Sequence, residues 1–471
     1  MSVKIDCEVS ELRQLQELLS EYSIEDCTVM GDEIRIVFEK FSNASQTVVK
    51  RDTVKIYDLK KPASILDLGL RHQEQIALLT KIQNALLAEQ AALFGPKLTL
   101  CPKCGQKASK NGFMQSIFHA VFSDHKLRLQ KHRCTNPDCG WQSTPTTLTE
   151  FGTDTHPDLA KLQCEQGASN SYRVAQANLE KLNCQRRSVN NHVQIRTTTN
   201  RIGECLAAQN GESTTLVSPP APRLVIHLER GFIPVQNQDQ AEVLLGMIYR
   251  LDPQPDGATV THEITPTYIV SAIADDQKTF ETYLFNACLQ QGLAPTTHVY
   301  GLVDHASYSG TLLVMLQPYC QTLEQVLDWF HVAKQFDLAQ QGLSALLTKF
   351  IERAMLDVWH GQADEALAKI EFLQAKLSNP AQQLRVGALQ VYLQINYDYL
   401  VHYSQWEKNN KPFTSEELAT HIDTLIEARD LSQRQVRWTQ EGAHNLLQIR
   451  AAMASDKWNE QWPRLMMRNN S

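Results

Sequence analysis

Two cysteine pairs, Cys101-Pro-Lys-Cys104-Gly105 and Cys134-Thr-Asn-Pro-Asp-Cys139-Gly140, restrict this chain more than any other feature. Four thiolates in two close pairs suit a tetrahedral Zn²⁺, and a glycine after each pair lets the backbone turn tightly around the ion. Between the pairs, Lys126-Leu-Arg-Leu-Gln-Lys131 alternates apolar and polar residues as a strand does. Cys101, Cys104, Cys134 and Cys139 are therefore expected to hold one structural Zn²⁺ in a zinc ribbon, with no open coordination position. The chain has eleven cysteines. The others, such as Cys164, Cys184 and Cys288, stand alone and read as packed side chains. Cysteines scattered without a dense disulfide pattern suit a reducing cytoplasm.

The length of 471 residues suggests about three domains. Hydrophobic residues make up 42% and charged residues 21%, enough to bury true cores. No apolar run reaches the length of a membrane span, and the opening MSVKIDCEVSELRQ is acidic and amphipathic, unlike a signal peptide. A net charge of −7 argues against a nucleic-acid partner, but its distribution reverses that. Lys97 to Arg133 holds eight Lys/Arg against one acid, Asp124, and Ser171 to Arg201 holds six against Glu180. Phosphate contacts act within a Debye length, so local patches count for more than the total. Two solvated faces are the plainer alternative.

Residues 1–95 read as an α/β module. A helix is expected near Ser10–Tyr22, strands over Glu33–Phe38 and Val48–Tyr57, and then a long helix with Leu66, Leu70, Ile76, Leu79, Ile82, Leu86 and Leu93 at helical spacing. Gly95-Pro96 ends it. The leucine stripe reads as packing on its own domain, with a dimer seam as the alternative. Residues 96–150 form the zinc ribbon and 151–210 a helical, basic segment. Within that segment Tyr172–Leu182 is expected as one helix, Asn183–Arg187 as a short turn, and Val189–Thr199 as a second helix capped by Ser188. The pattern resembles a helix-turn-helix, with a plain helical hairpin as the alternative. Arg173, Arg186, Arg187, Asn190, Asn191, Gln194 and Arg196 are its candidate contacts to double-stranded DNA.

Residues 211–222, GESTTLVSPPAP, are a linker. Strands follow at Leu224–Leu228, Val243–Tyr249, Tyr268–Ile273 and Thr297–Val303, with a helix over Thr279–Gln291. From Gly342 to Tyr403 the pattern is helical. One strand runs into Glu229, another into Asp304, and a third ends in Leu327-Asp328-Trp-Phe-His331. Carboxylates at the ends of strands one and four, with one on a late helix, are how an RNase H-like fold holds two Mg²⁺ for phosphoryl transfer.

This series resembles bacterial insertion-sequence transposases of the Mutator-like DDE superfamily, in the group with a zinc ribbon and helix-turn-helix ahead of the core. The likeness covers roughly residues 97–460. It rests on LDWFH (327–331), WHGQADEALAKI (359–370) and QVRWTQEGAHNLLQIRAA (435–452). It implies a multidomain α/β protein with an RNase H-like core over 223–344, a helical insertion over 345–412 and closing helices over 413–471. It also implies cleavage and joining of DNA ends with Mg²⁺, a homo-oligomer, and a cytoplasmic protein found on the nucleoid when bound to DNA. Asp328 and His331 match the family's Asp-x-x-His signature. Asp304 matches its second acid, although His305 replaces a glycine. Glu229 stands at the first acid and Ala419 at the third. Glu416 and Asp423 share a helical face with Ala419 and are the candidate substitutes. Glu417 has capping-box spacing from Thr414, and Glu441 is a further candidate. These departures make a catalytically inactive, DNA-binding regulator or assembly factor the alternative function.

Overall fold

The computed structural model describes residues 22–23, 29–30, 33–42, 45–58, 68–183, 187–212, 218–236, 240–251, 265–304, 309–415, 425 and 438–468. The expected helix near Ser10–Tyr22, and Arg186, His305, Glu416, Glu417, Ala419 and Asp423, lie outside these, save that Tyr22 itself begins a strand. The chain forms two compact units, Met1–Leu159 with Leu179–Ser188, and Ala160–Asn178 with Val189–Asn469.

In the first unit β3 (Glu33–Ser42) is the common partner of β1 (Tyr22–Ser23), β2 (Val29–Met30) and β4 (Thr47–Asp58), all antiparallel. Helix α1 (His72–Phe94) stops at Gly95. Its Glu89 takes Lys40 and Lys50 at 2.7 and 3.2 Å. Leu87 packs with Phe118 and Leu127 of a hairpin made by β5 (Ala108–His119) and β6 (Asp124–Cys134). Leu87 is not a member of the expected stripe, and Leu93 of that stripe is exposed. Strand alternation sorts the hairpin. His125, Leu127 and Leu129 are buried, while Lys126 and Arg128 face out. After the short helix α2 (Thr147–Phe151), residues Leu179–Ser188 rejoin this unit. There Asn183 donates to the Phe122 carbonyl, and Arg187 donates to Asp124 and the Val121 carbonyl.

Helices α3 (Pro157–Ser169) and α4 (Tyr172–Leu182) each have residues in both units. Helix α5 (His192–Gly211) belongs to the second. The sequence places its start at Val189 under a Ser188 cap. Instead Ser188–Asn190 form a 3₁₀ turn, and Asn191 Oδ1 caps α5 by accepting from the Val193 and Gln194 amides. Two orphan donors outweigh the one that Ser188 would have satisfied. The interval between α4 and α5 is therefore longer than the three or four residues usual in a tight helix-turn-helix.

The core of the second unit is a five-stranded sheet in the order β11-β10-β7-β8-β9. Its strands are β7 (Arg223–Ile233), β8 (Ala241–Leu251), β9 (Thr267–Ser271), β10 (His298–Val303) and β11 (Thr322–Leu327). Only β8 runs against the others. Central β7 is buried on both faces from Leu224 to Leu228, which is why it reads as a near-continuous apolar run. Glu229 therefore does not follow the strand, as the sequence suggests, but lies within it. The other helices are α6 (Lys278–Gln290), α7 (Ser309–Val314), α8 (Trp329–Gln340), α9 (Ala345–Trp359), α10 (Ala363–Lys376), α11 (Pro380–Ile395), α12 (Tyr403–Lys408), α13 (Gln440–Ala454) and α14 (Trp458–Arg468).

Helix α13 seals the free edge of β9. Gln440 and Gln448 donate to the Ala272 and Val270 carbonyls, each at 2.7 Å. The Tyr268 amide donates to Ser455 Oγ at 2.9 Å, and the Ala272 amide to His444 Nδ1 at 3.2 Å. Gln440, His444 and Gln448 recur every four residues and so share one helical face. On the other side α13 approaches α5 so closely that a Cβ on Gly203 would collide with the Asn445 carbonyl.

Candidate functional site

The first site is local. Cys101 and Cys139 bring their sulfurs to 3.8 Å, and Cys104 and Cys134 theirs to 3.4 Å. Four sulfurs about 2.3 Å from one Zn²⁺ stand about 3.8 Å apart along the edges of a tetrahedron. The cluster could thus hold a metal such as zinc with little movement. Gly105 and Gly140 have φ of +72° and +63°, with open space where a Cβ would stand, so backbone conformation alone demands glycine there. The Gly105 amide donates to the Cys101 carbonyl at 2.9 Å, closing the first knuckle. Burial opposes ionisation of Cys101, but the backbone amides of Cys104 and Lys103 win and lower its pKa to about 7. Burial and the other sulfurs of the cluster push Cys134 and Cys139 up, so the four sulfurs share few negative charges until an ion supplies the opposing one.

Beside the knuckles lies a groove of about 720 Å³ whose lining includes Lys97, Lys107, Lys110, Lys126 and Arg128 among apolar residues, with no carboxylate among the described residues that line it. Exposed Phe113 stands in it, with the Arg128 guanidinium 4.5 Å from its ring centroid.

The candidate DNA contacts do not share one environment. Arg173, Gln194 and Arg196 are exposed. Arg187 is buried in its ion pair with Asp124, where it neutralises a partly desolvated carboxylate, so the expectation that it meets phosphate is corrected. Asn190 is buried and accepts from Gln163, so its amide is not presented to a base edge, and Asn191 uses its Oδ1 to cap α5.

The second site lies where β10 and β11 end beside the middle of β7. His227 and Glu229 alternate along β7 and so share a face. Asp304 follows β10 directly, one step beyond the Leu228–Val303 pair of the parallel register. Asp328 follows β11 and caps α8, accepting from the Phe330 amide at 3.1 Å. One turn on, His331 Nε2 lies 3.2 Å from Glu229 Oε1. His227 Nε2 lies 3.6 Å from the same oxygen and 3.3 Å from Asp328 Oδ2. The Ser415 amide and hydroxyl both donate to Asp328, and Tyr392 donates to the Asp304 carbonyl at 3.3 Å.

Burial opposes charge on Glu229, but the His331 hydrogen bond and neighbouring positive charge prevail, holding its carboxyl below the usual range. Burial likewise opposes protonation of His331. The hydrogen bond to Glu229 and the charges of Asp328, Glu229 and Asp304 overcome it and raise its pKa. Both shifts share one cause, the close approach of His331 to Glu229.

The aromatic residues of LDWFH act differently. Trp329 packs at 4.7 Å from both Trp359 and Tyr403, and Trp359 lies 5.5 Å from Phe413. The Tyr403 hydroxyl donates to the Leu327 carbonyl at 2.8 Å. Two sequence stretches that stand apart, LDWFH and the one opening at Trp359, thus meet in one aromatic cluster. Glu441 is exposed in the first turn of α13. Sequence reasoning passed over His227, Tyr392 and Ser415. For His227 a signal existed, an imidazole inside Leu224-Val-Ile-His-Leu228 two places before a carboxylate.

Fold and sites together define a multidomain α/β chain with a four-cysteine cluster in one unit and a histidine–carboxylate cluster in the other. No family model matches the sequence, and no curated protein matches it. No helix among the described residues is long and apolar enough to cross a membrane.

Proposed function

We propose that this chain is a DNA-binding protein of the DDE-transposase type, binding duplex DNA through the basic groove beside its cysteine knuckles. The observation that carries the reading is that groove: five cationic side chains, an exposed aromatic ring and no carboxylate among the described residues of the lining. Such a surface attracts a phosphate backbone whatever the net charge of the chain. The transposase lineage and an RNase H-like core draw support from the second unit, where Glu229 on the first strand and Asp304 after the fourth lie on adjacent parallel strands. Exposed Arg173, Gln194 and Arg196 are further contacts on this reading.

Binding without strand cleavage is the form of the function the site favours. Imidazoles surround Glu229, and a nitrogen-rich donor set suits Zn²⁺-class ions rather than Mg²⁺, which wants near-ideal octahedral oxygen geometry. No cleavage step is therefore derived through Mg²⁺. The test is a gel-shift salt series on duplex DNA. Replacing Lys110, Lys126 and Arg128 by alanine should weaken binding and flatten the log–log salt slope by roughly one unit per lost phosphate contact. Absence of binding at low salt, or an unchanged slope in the triple variant, would overturn the proposal.

A further inference from the structure

We propose that His227, Asp328 and His331 form a second metal site, for a divalent transition ion of the Zn²⁺ class, with Glu229 facing its open position. One ligand atom from each of the three side chains lies within 4.8 Å of the other two. Asp328 Oδ2 stands 3.3 Å from His227 Nε2 and 3.9 Å from His331 Nε2. Ligands bound about 2.0–2.1 Å from a tetrahedral ion stand about 3.3 Å apart, so the Asp328–His227 edge already has that spacing and the Asp328–His331 edge must close by about 0.6 Å.

Three observations favour an ion over a hydrogen-bonded cluster. His227 is fully buried, and neither ring nitrogen has a hydrogen-bond partner among the described residues, although Nε2 lies close to a carboxylate oxygen. A buried imidazole without partners is costly unless something else satisfies it. Asp328 is also fully buried and accepts three hydrogen bonds, from the Phe330 amide, the Ser415 amide and the Ser415 hydroxyl. A carboxylate has about four acceptor sites, so one remains, and His227 and His331 both approach Oδ2. Those same three donors fix the carboxylate's orientation, as outer partners do for metal ligands. Finally, the ligands stand on rigid elements: His227 mid-strand, Asp328 at a strand-to-helix junction, His331 in the first turn of α8.

Two imidazoles and a carboxylate leave a fourth position, as in sites where zinc binds a water. Glu229 Oε1, 3.2 and 3.6 Å from the two Nε2 atoms, is placed to take that position or to accept a hydrogen bond from a ligand there. The donor set excludes Ca²⁺ and Mg²⁺ as preferred occupants, because both want oxygen. This inference does not rest on DNA binding.

The test is metal content of the full-length protein loaded with Zn²⁺, and separately with Co²⁺, after dialysis. Two equivalents per chain are expected. With Co²⁺, one should carry the thiolate charge-transfer band of the cysteine cluster, and the other only weak ligand-field bands. His331→Gln and His227→Gln should each lose one equivalent and keep the thiolate band of the cysteine cluster, with an unchanged cooperative denaturant transition reporting that the second unit has folded. His331→Gln is the gentler change, because His331 retains some exposure while His227 has none. If both variants bind as much metal as the parent, the site does not exist. Gel shifts on the same samples report DNA binding separately, so the two ideas fail independently.

Discussion

At the residue scale, His444 ties the edge of the sheet to pH. Its Nδ1 accepts from the Ala272 amide, which requires that nitrogen to be unprotonated. Nε2 faces the Tyr283 hydroxyl at 3.5 Å, and that hydroxyl already donates to the Ala207 carbonyl. The ring is thus held neutral, and burial lowers its pKa to about 4 against a weak opposing pull from Asp275. In an unfolded chain a histidine titrates near about 6.5. Below that pH the unfolded state takes up a proton that the folded state refuses. Stability should therefore fall as pH drops from about 6.5 to about 4, by about 3 kcal/mol in all. Urea unfolding of the parent and of His444→Gln should give a stability difference that shrinks across this window. A difference independent of pH would mean that the ring is not held neutral. Residue chemistry was legible in the sequence where it was local. The four cysteines could be read off because two turns of backbone place them. Arg187 could not, because its partner Asp124 is brought to it by tertiary structure, and without that partner an arginine in a basic stretch reads as a phosphate contact.

At the scale of elements, α13 shows why a polar stripe can belong to a buried helix. Gln448 spans two elements. Its Nε2 donates to the Val270 carbonyl of β9 and its Oε1 accepts from Asn210 in α5. Gln448→Leu would leave a buried carbonyl and a partly buried amide without partners, at a cost of about 1–3 kcal/mol for each group. Denaturant unfolding should register the loss, together with faster amide exchange along β9. A change of only a few tenths of a kcal/mol would mean that water replaces the side chain. Strands and helices with a clear period were legible. The role of α13 was not, since glutamines at four-residue spacing look the same on a solvated face as on a strand edge. Boundaries also moved where a better cap lay a turn away, as Asn191 shows.

At the scale of the whole molecule, the proposed transposase lineage carries a prediction about strand cleavage. With alanine at the family's third acid, strand cleavage with Mg²⁺ or Mn²⁺ should be weak or absent. Ala419→Glu, with and without Glu229→Asp, should raise nicking of a DNA end well above the parent, and Asp304→Ala should abolish whatever appears. Efficient cutting by the unaltered protein, independent of Glu416 and Asp423, would show that the third acid lies elsewhere and make Glu441 the next residue to replace.

The sealed edge of β9 also bears on how the chain is made. Its amides and carbonyls are satisfied by side chains from Gln440 to Ser455, over 160 residues downstream. Contacts so distant in sequence form late, because a long loop must close first. During synthesis, then, this sheet leaves the ribosome with an open, apolar border that could pair with another nascent copy. That hazard opens once β9 has been made and closes only when the segment from Gln440 to Ser455 has followed and docked, so edge-to-edge pairing of nascent copies is most favoured while the residues between them are being added.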